Sequence, residues 1–175
     1  MFYVDIHDEF KTDFTINHKS ITILNNEILT KESPYEDWIY FDTKITNKTE
    51  TNYTSLSIDT ENSDVIIKKG ESFEIHYKGE LKGNSYPRII KSVVQKAISL
   101  KADNDRATKR NTQLIITMPN DLISVIIYTK KGTIKIEDNL NIKGLDLKTI
   151  EGDIHLNCTS SKMHIISNYG KIKMG

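Results

Sequence analysis

Five histidines, one cysteine and scattered carboxylates are the residues of this chain that could bind a metal, attack an acyl carbon or move a proton. A zinc site needs three or four such ligands converging on one point. Of His7, His18, His76, His155 and His164, only the last two fall on neighbouring units of a repeating pattern, and that pattern sets them on different strands. His155 also shares an outward row with Lys135 and Lys173. Two ammonium groups beside a ligand work against a bound cation, so the row reads as solvated surface. His7 sits among Asp5, Asp8 and Glu9 in a charged N-terminal segment that reads as exposed. Cys158 has no adjacent base to activate it and reads as a buried or strand-edge thiol.

Acid–base chemistry would need two carboxylates across a cleft. Asp64 and Asp153 occupy equivalent places in the repeat, but at corners, where Asp serves as a turn residue through local hydrogen bonds. Asp103-Asn104-Asp105 resembles the opening of a calcium loop and lacks its glycine and closing glutamate. Walker, dinucleotide and nucleophile-elbow motifs are absent from the sequence. The outward columns read Ser124/Asp146/His164 and Lys135/His155/Lys173, without a carboxylate pair. The sequence therefore assigns no catalytic, metal or cofactor-binding residue.

Surfaces offer more. Ile126, Tyr128 and Ile166 stand where the alternation should place polar residues, and an exposed apolar patch commonly marks an interaction site. Ile172 and Met174 fall on the final unit of the repeat, where an uncapped edge exposes core and unpaired backbone. These five residues are the candidate interaction surface.

The elements that carry them are strands. Of 175 residues, 27 are Ile and 17 Thr, with 8 Tyr and 5 Phe, all suited to a pleated half-buried surface. Alanine occurs only three times, which removes the best helix former. Charges balance at 24 against 24, and only three of the basic residues are arginine, so no nucleic-acid footprint is present. The N-terminus has neither a basic n-region nor a long apolar core, and no apolar run approaches membrane-spanning length. The chain as it stands reads as soluble and cytoplasmic, or as a cell-surface protein if an export signal has been removed.

An internal repeat organises the second half. Val125, Ile127 and Thr129 precede Lys131-Gly132 and then Ile134 and Ile136. Leu145, Leu147 and Thr149 precede Glu151-Gly152 and then Ile154 and Leu156; Met163, Ile165 and Ser167 precede Tyr169-Gly170 and then Ile172 and Met174. A degenerate copy runs from Leu56, Ile58 and Thr60 through Asn62-Ser63 to Val65 and Ile67. Two short strands meeting at a glycine corner, repeated at 18 to 20 residues, would stack into apolar columns with a hydroxyl column beside the corner. A meander of hairpins would also carry turn glycines but has no need of matching columns.

Thr60-Glu61-Asn62-Ser63-Asp64-Val65, Thr149-Ile150-Glu151-Gly152-Asp153-Ile154 and the weaker Thr129-Lys130-Lys131-Gly132-Thr133-Ile134 carry a resemblance. From Leu56 to Gly175 the chain resembles the bacterial putative-adhesin domain family, whose corners typically read Thr-x-x-Gly-Asp-Ile, and Leu114 to Pro119 looks like the segment leading into its regular coils. The resemblance implies a β-solenoid and brings no catalytic residues with it.

The expected fold is therefore all-β: a single-domain β-solenoid of stacked two-strand coils with Gly corners over 51–175, and an N-terminal β cap region over 1–50. Phe14-Thr15-Ile16 and Ser20 to Leu24 flank a turn, Asn25-Asn26 marks the next, and Trp38-Ile39-Tyr40-Phe41 reads as the core anchor of the cap. Thr43 to Thr54 reads as a polar linker, and Ala102 to Asn111 as an exposed loop. Between Tyr86 and Leu100, Ile90, Val93, Val94, Ala97 and Ile98 fit a helical stripe, but the resemblance implies two strands split near Gln95-Lys96, and strands are the expectation. The functional expectation is a non-enzymatic interaction module that binds a protein or cell-envelope partner, or a second copy of itself. The alternative is a surface carbohydrate-active enzyme on a β-helix scaffold.

Overall fold

A computed structural model describes residues 10–16, 19–24, 27–32, 39–47, 52–82, 89–102, 108–119 and 121–175. Every regular element among them is a strand. In chain order these are β1 (Phe10–Ile16), β2 (Lys19–Leu24), β3 (Glu27–Glu32), β4 (Ile39–Asn47), β5 (Ser55–Thr60), β6 (Asp64–Lys69) and β7 (Glu74–Lys82). There follow β8 (Ile89–Val94), β9 (Ala97–Ala102), β10 (Thr108–Met118), β11 (Leu122–Lys131), β12 (Ile134–Glu151), β13 (Ile154–Tyr169) and β14 (Ile172–Met174). All fourteen join one sheet. No helix among the described residues is long and apolar enough to cross a membrane.

Alternation explains the strands. Val125, Ile127 and Thr129 are buried while Ile126 and Lys130 between and beside them are exposed, and Leu145, Leu147 and Thr149 repeat this with Asp146 and Lys148 outward. Each fully buried Ile or Leu contributes about 1.5–3 kcal/mol of transfer free energy, so a one-residue slip would turn a whole column to water. Val125 is registered with Leu145 and Leu145 with Met163; Ile134 is registered with Ile154 and Ile154 with Ile172. These ladders are parallel. Hairpins would make them antiparallel, so the meander does not describe this part of the chain.

β12 belongs to three ladders, with β6 and β11 in turn and with β13. Ile134 to Ile136 bond to β6, while Ile142 to Glu151 bond to β11, with a register shift against β13 between Ile136 and Leu140. The parallel stacking also runs out of sequence order. β9 lies beside β5, with Leu56 registered to Ile98, and β10 lies beside β6, with Leu114 registered to Val65. Thus β9 and β10 sit outside β5 and β6, although they follow them in the chain.

On the far side of β10 the sheet turns antiparallel, through β7, β4, β1 and β2 to β3. Phe14 is registered with Ile21, so the two N-terminal segments do pair, antiparallel. Phe41 is fully buried and meets Tyr77 edge-on at 4.9 Å, whereas Tyr40 is 40% exposed. Trp38 and the Asn25-Asn26 turn lie outside the described residues.

The polar linker and the exposed loop are both misplaced by the sequence reading. Thr43 and Ile45 are buried within β4, paired to Tyr77 and Ile75, so the segment begins as a strand. Ala102 is buried at the end of β9, and Thr108 to Asn111 already belong to β10. Residues 89–102 form a hairpin, as the resemblance implied, with Val94 registered to Ala97.

Candidate interaction surfaces

The corners fix where every outward residue points. Thr149 Oγ1 donates to the Gly132 carbonyl at 3.0 Å, Ser167 Oγ to the Gly152 carbonyl at 2.8 Å, and Thr129 Oγ1 to the Ser63 carbonyl at 3.2 Å. A buried hydroxyl with its partner contributes about 1 kcal/mol and would cost more if orphaned. The backbone N–H groups that the corner aspartates accept belong to other strands, contrary to the turn reading. Asp64 Oδ1 accepts the backbone N–H of Thr133 and Asp153 Oδ1 that of Lys171, each at 2.7 Å, so they link neighbouring strands of the stack. That bond is the chief reason the Asp153 carboxyl titrates below its usual range; His155 and Lys173 add to the lowering, and desolvation opposes it.

The candidate surface divides into two places. Ile126 on β11 is 48% exposed; Tyr128 and Ile166 are half-buried. The register sets Ile126 beside Asp146 and then His164, and Tyr128 beside Lys148 and then Ile166. The sequence column Ser124/Asp146/His164 is therefore off by one row, because Ser124 pairs with Gly144. Asp146 Oδ1 lies 3.1 Å from His164 Nδ1. A shallow groove of about 230 Å³ passes over Gly144 between Ile126, Lys162 and His164.

Ile172 and Met174 lie elsewhere, on β14, and are 45% and 63% exposed. Among the described residues β14 pairs only with β13, and residues 160–169 of β13 pair only with β12. Met163 and Ile165 complete their apolar column but stay half-buried.

Two further clusters emerge. On β4 and β7, His76 Nε2 lies 2.5 Å from Asp42 Oδ1, and the Tyr40 hydroxyl donates to Asp42 Oδ2 at 3.3 Å. Burial raises the Asp42 pKa, yet hydrogen bonds from His76 and Tyr40 with the nearby charges of His76 and Lys78 outweigh it and hold it low. Alternation places Asp42 outward, but its partner lies 34 residues on and only the β4–β7 register reveals it. The other is the row Lys135/His155/Lys173, aligned as the repeat implies, beneath a groove of about 530 Å³. His7, His18 and the Asp103-Asn104-Asp105 segment lie outside the described residues. Cys158 is half-buried, and burial raises its thiol pKa, opposite to what a nucleophile needs.

The profile of the Toastrack DUF4097 family matches residues 53–174. The chain belongs to this family. Among solved structures, a putative adhesin from Bacteroides fragilis has a similar fold at 15% identity and a TM-score of 0.52, over 79% of this chain and 62% of its own. A putative adhesin from Parabacteroides distasonis matches at 12% identity and a TM-score of 0.46, over 77% of this chain and 64% of its own. A putative cell adhesion protein from Clostridium sporogenes matches at 9% and 0.42, over 76% and 97%. This Toastrack chain spans less than two thirds of the length of the first two. No curated protein matches it.

Proposed function

We propose that this Toastrack chain is a non-enzymatic interaction module. In this reading residues 51–175 wind as a β-solenoid of stacked two-strand coils with glycine corners, and residues 1–50 form a β cap region. The parallel registers and the family match over 53–174 support the division. The partner is a protein or cell-envelope component, or a second copy of the chain; the name of the Bacteroides fragilis protein of similar fold fits such a role.

One observation carries the proposal: Ile172 and Met174 continue a buried apolar column yet remain exposed on a strand that, among the described residues, pairs on one side only. An apolar strand edge of this kind is a template for another strand. The lateral row of Ile126, Tyr128 and Ile166 is a second, smaller surface for the same role. Light scattering on the Ile172→Asp protein, alongside its thermal unfolding, tests the edge. Loss of self-association or partner binding with an unchanged melting temperature supports an interface; loss of stability alone makes Ile172 a core residue and removes the proposal.

A further inference from the structure

A row of nitrogen-bearing side chains crosses three strands of the outward face. Lys135 on β12 is registered with His155 on β13, and His155 with Lys173 on β14. Neighbouring strands stand about 4.8 Å apart, so the row spans about two such spacings. Ammonium groups stand at both ends of the row, and the two local carboxylates are shared unevenly along it. Glu137 pairs with Lys135 at 2.5 Å, and Asp153 lies 3.7 Å from His155 with its other oxygen committed to the Lys171 N–H. Lys173 makes no direct ion pair among the described residues, and the Asp153 carboxylate feels its charge from farther off. From Ile154 to Gly175 the sequence holds Lys162, Lys171 and Lys173 and no Asp or Glu. This row lines a groove of about 530 Å³ together with Glu137, Asn157 and Met174.

We infer that this groove is an anion-binding site for a multiply charged phosphate or carboxylate ligand. Lys135 and Lys173 are its two ammonium anchors, His155 stands between them, and Asn157 donates from the side. An ammonium has three donors, so Lys135 can hold Glu137 and still reach a ligand. The alignment that makes the row unfit for a metal ion suits an anion. The site lies on the outward face of β12–β14.

The test is a titration of isotope-labelled protein with inorganic tripolyphosphate and, in a second arm, with citrate, followed by amide chemical shifts. Saturable shifts centred on Lys135, His155, Asn157 and Lys173 are expected, with the stronger arm naming the ligand chemistry. Replacing both anchors (Lys135→Gln with Lys173→Gln) should weaken binding about tenfold. Lys148→Gln, on a different row, should leave it unchanged. Both anchors are exposed at the surface, so the melting temperature should hold. Raising salt from roughly 50 to 300 mM should weaken binding further. No saturable shift with either anion, or equal affinity in the double variant, overturns the inference. Strand-edge association is read from oligomeric state and this site from shifts, so either can fail alone.

Discussion

A Cβ placed on Gly152 would stand 2.1 Å from the carbonyl oxygen of Gly132. The corners are thus packed backbone against backbone, one upon the next. The contact recurs along the stack, at 2.2 Å from Gly132 to the Ser63 oxygen and 2.0 Å from Gly170 to the Gly152 oxygen. Each of these carbonyls also accepts the hydroxyl of a Thr or Ser three residues before the next corner glycine, which leaves it no freedom to move away.

Gly152→Ala should therefore lower stability by about 2–4 kcal/mol, since the clash is with backbone that cannot rotate aside. Gly144→Ala is the contrast. Its nearest neighbour would be the Ile123 oxygen at 3.6 Å, an ordinary contact, and an alanine within a strand costs less than about 1 kcal/mol or stabilises. Urea unfolding of the two variants checks the difference, and equal losses would refute the backbone contact as the reason for glycine at the corner.

Asp153 gives the stack a dependence on pH. Its folded pKa is lowered, first by the Lys171 N–H. A lowered folded pKa means the contribution is fully present above the unfolded carboxyl range, near pH 4, and is lost as pH falls through the folded value. Asp153→Asn keeps an oxygen for that N–H but cannot titrate. The variant should be less stable than the parent at neutral pH, and the gap should close as pH is lowered toward about 2. Urea midpoints across that range decide it; a gap that is constant with pH would mean the carboxylate charge is not what matters.

The columns Val125/Leu145/Met163 and Ile134/Ile154/Ile172 were legible because an apolar period of 18 to 20 residues with glycine at a fixed place has few other physical uses. The order of stacking was not legible. Leu56 pairs as well with Ile98 as with Val125, and only the packed sheet places β9 and β10 outside β5 and β6. Thr43 was misread because its composition is that of a loop, while the alternation of Phe41, Thr43 and Ile45 that buries it is only three residues deep. The corner aspartates were recognised as special but given the wrong partner, since the N–H they reach belongs to another strand. The row at Lys135, His155 and Lys173 could be aligned from sequence, but which lysine pairs directly with a described carboxylate could not.

The helical stripe through Ile90, Val93, Val94, Ala97 and Ile98 failed for a reason that can be tested at Gln95. Ile98 and Leu100 are drawn into the column of Leu56 and Ile58, which a helix could not supply. The chain must then reverse between Val94 and Ala97 in two residues. Gln95 does this at φ 55°, in the left-handed region that costs a residue with a Cβ about 1 kcal/mol. No Asn-Gly pair announces the turn. Gln95→Gly should raise stability by about 0.5–1 kcal/mol by removing that strain, and Gln95→Val should lower it by about 1–2 kcal/mol. Thermal unfolding of the pair checks both. A glycine variant no more stable than the parent would mean that the turn holds no strain to release, and that Gln95 adopts this conformation because its neighbours favour it.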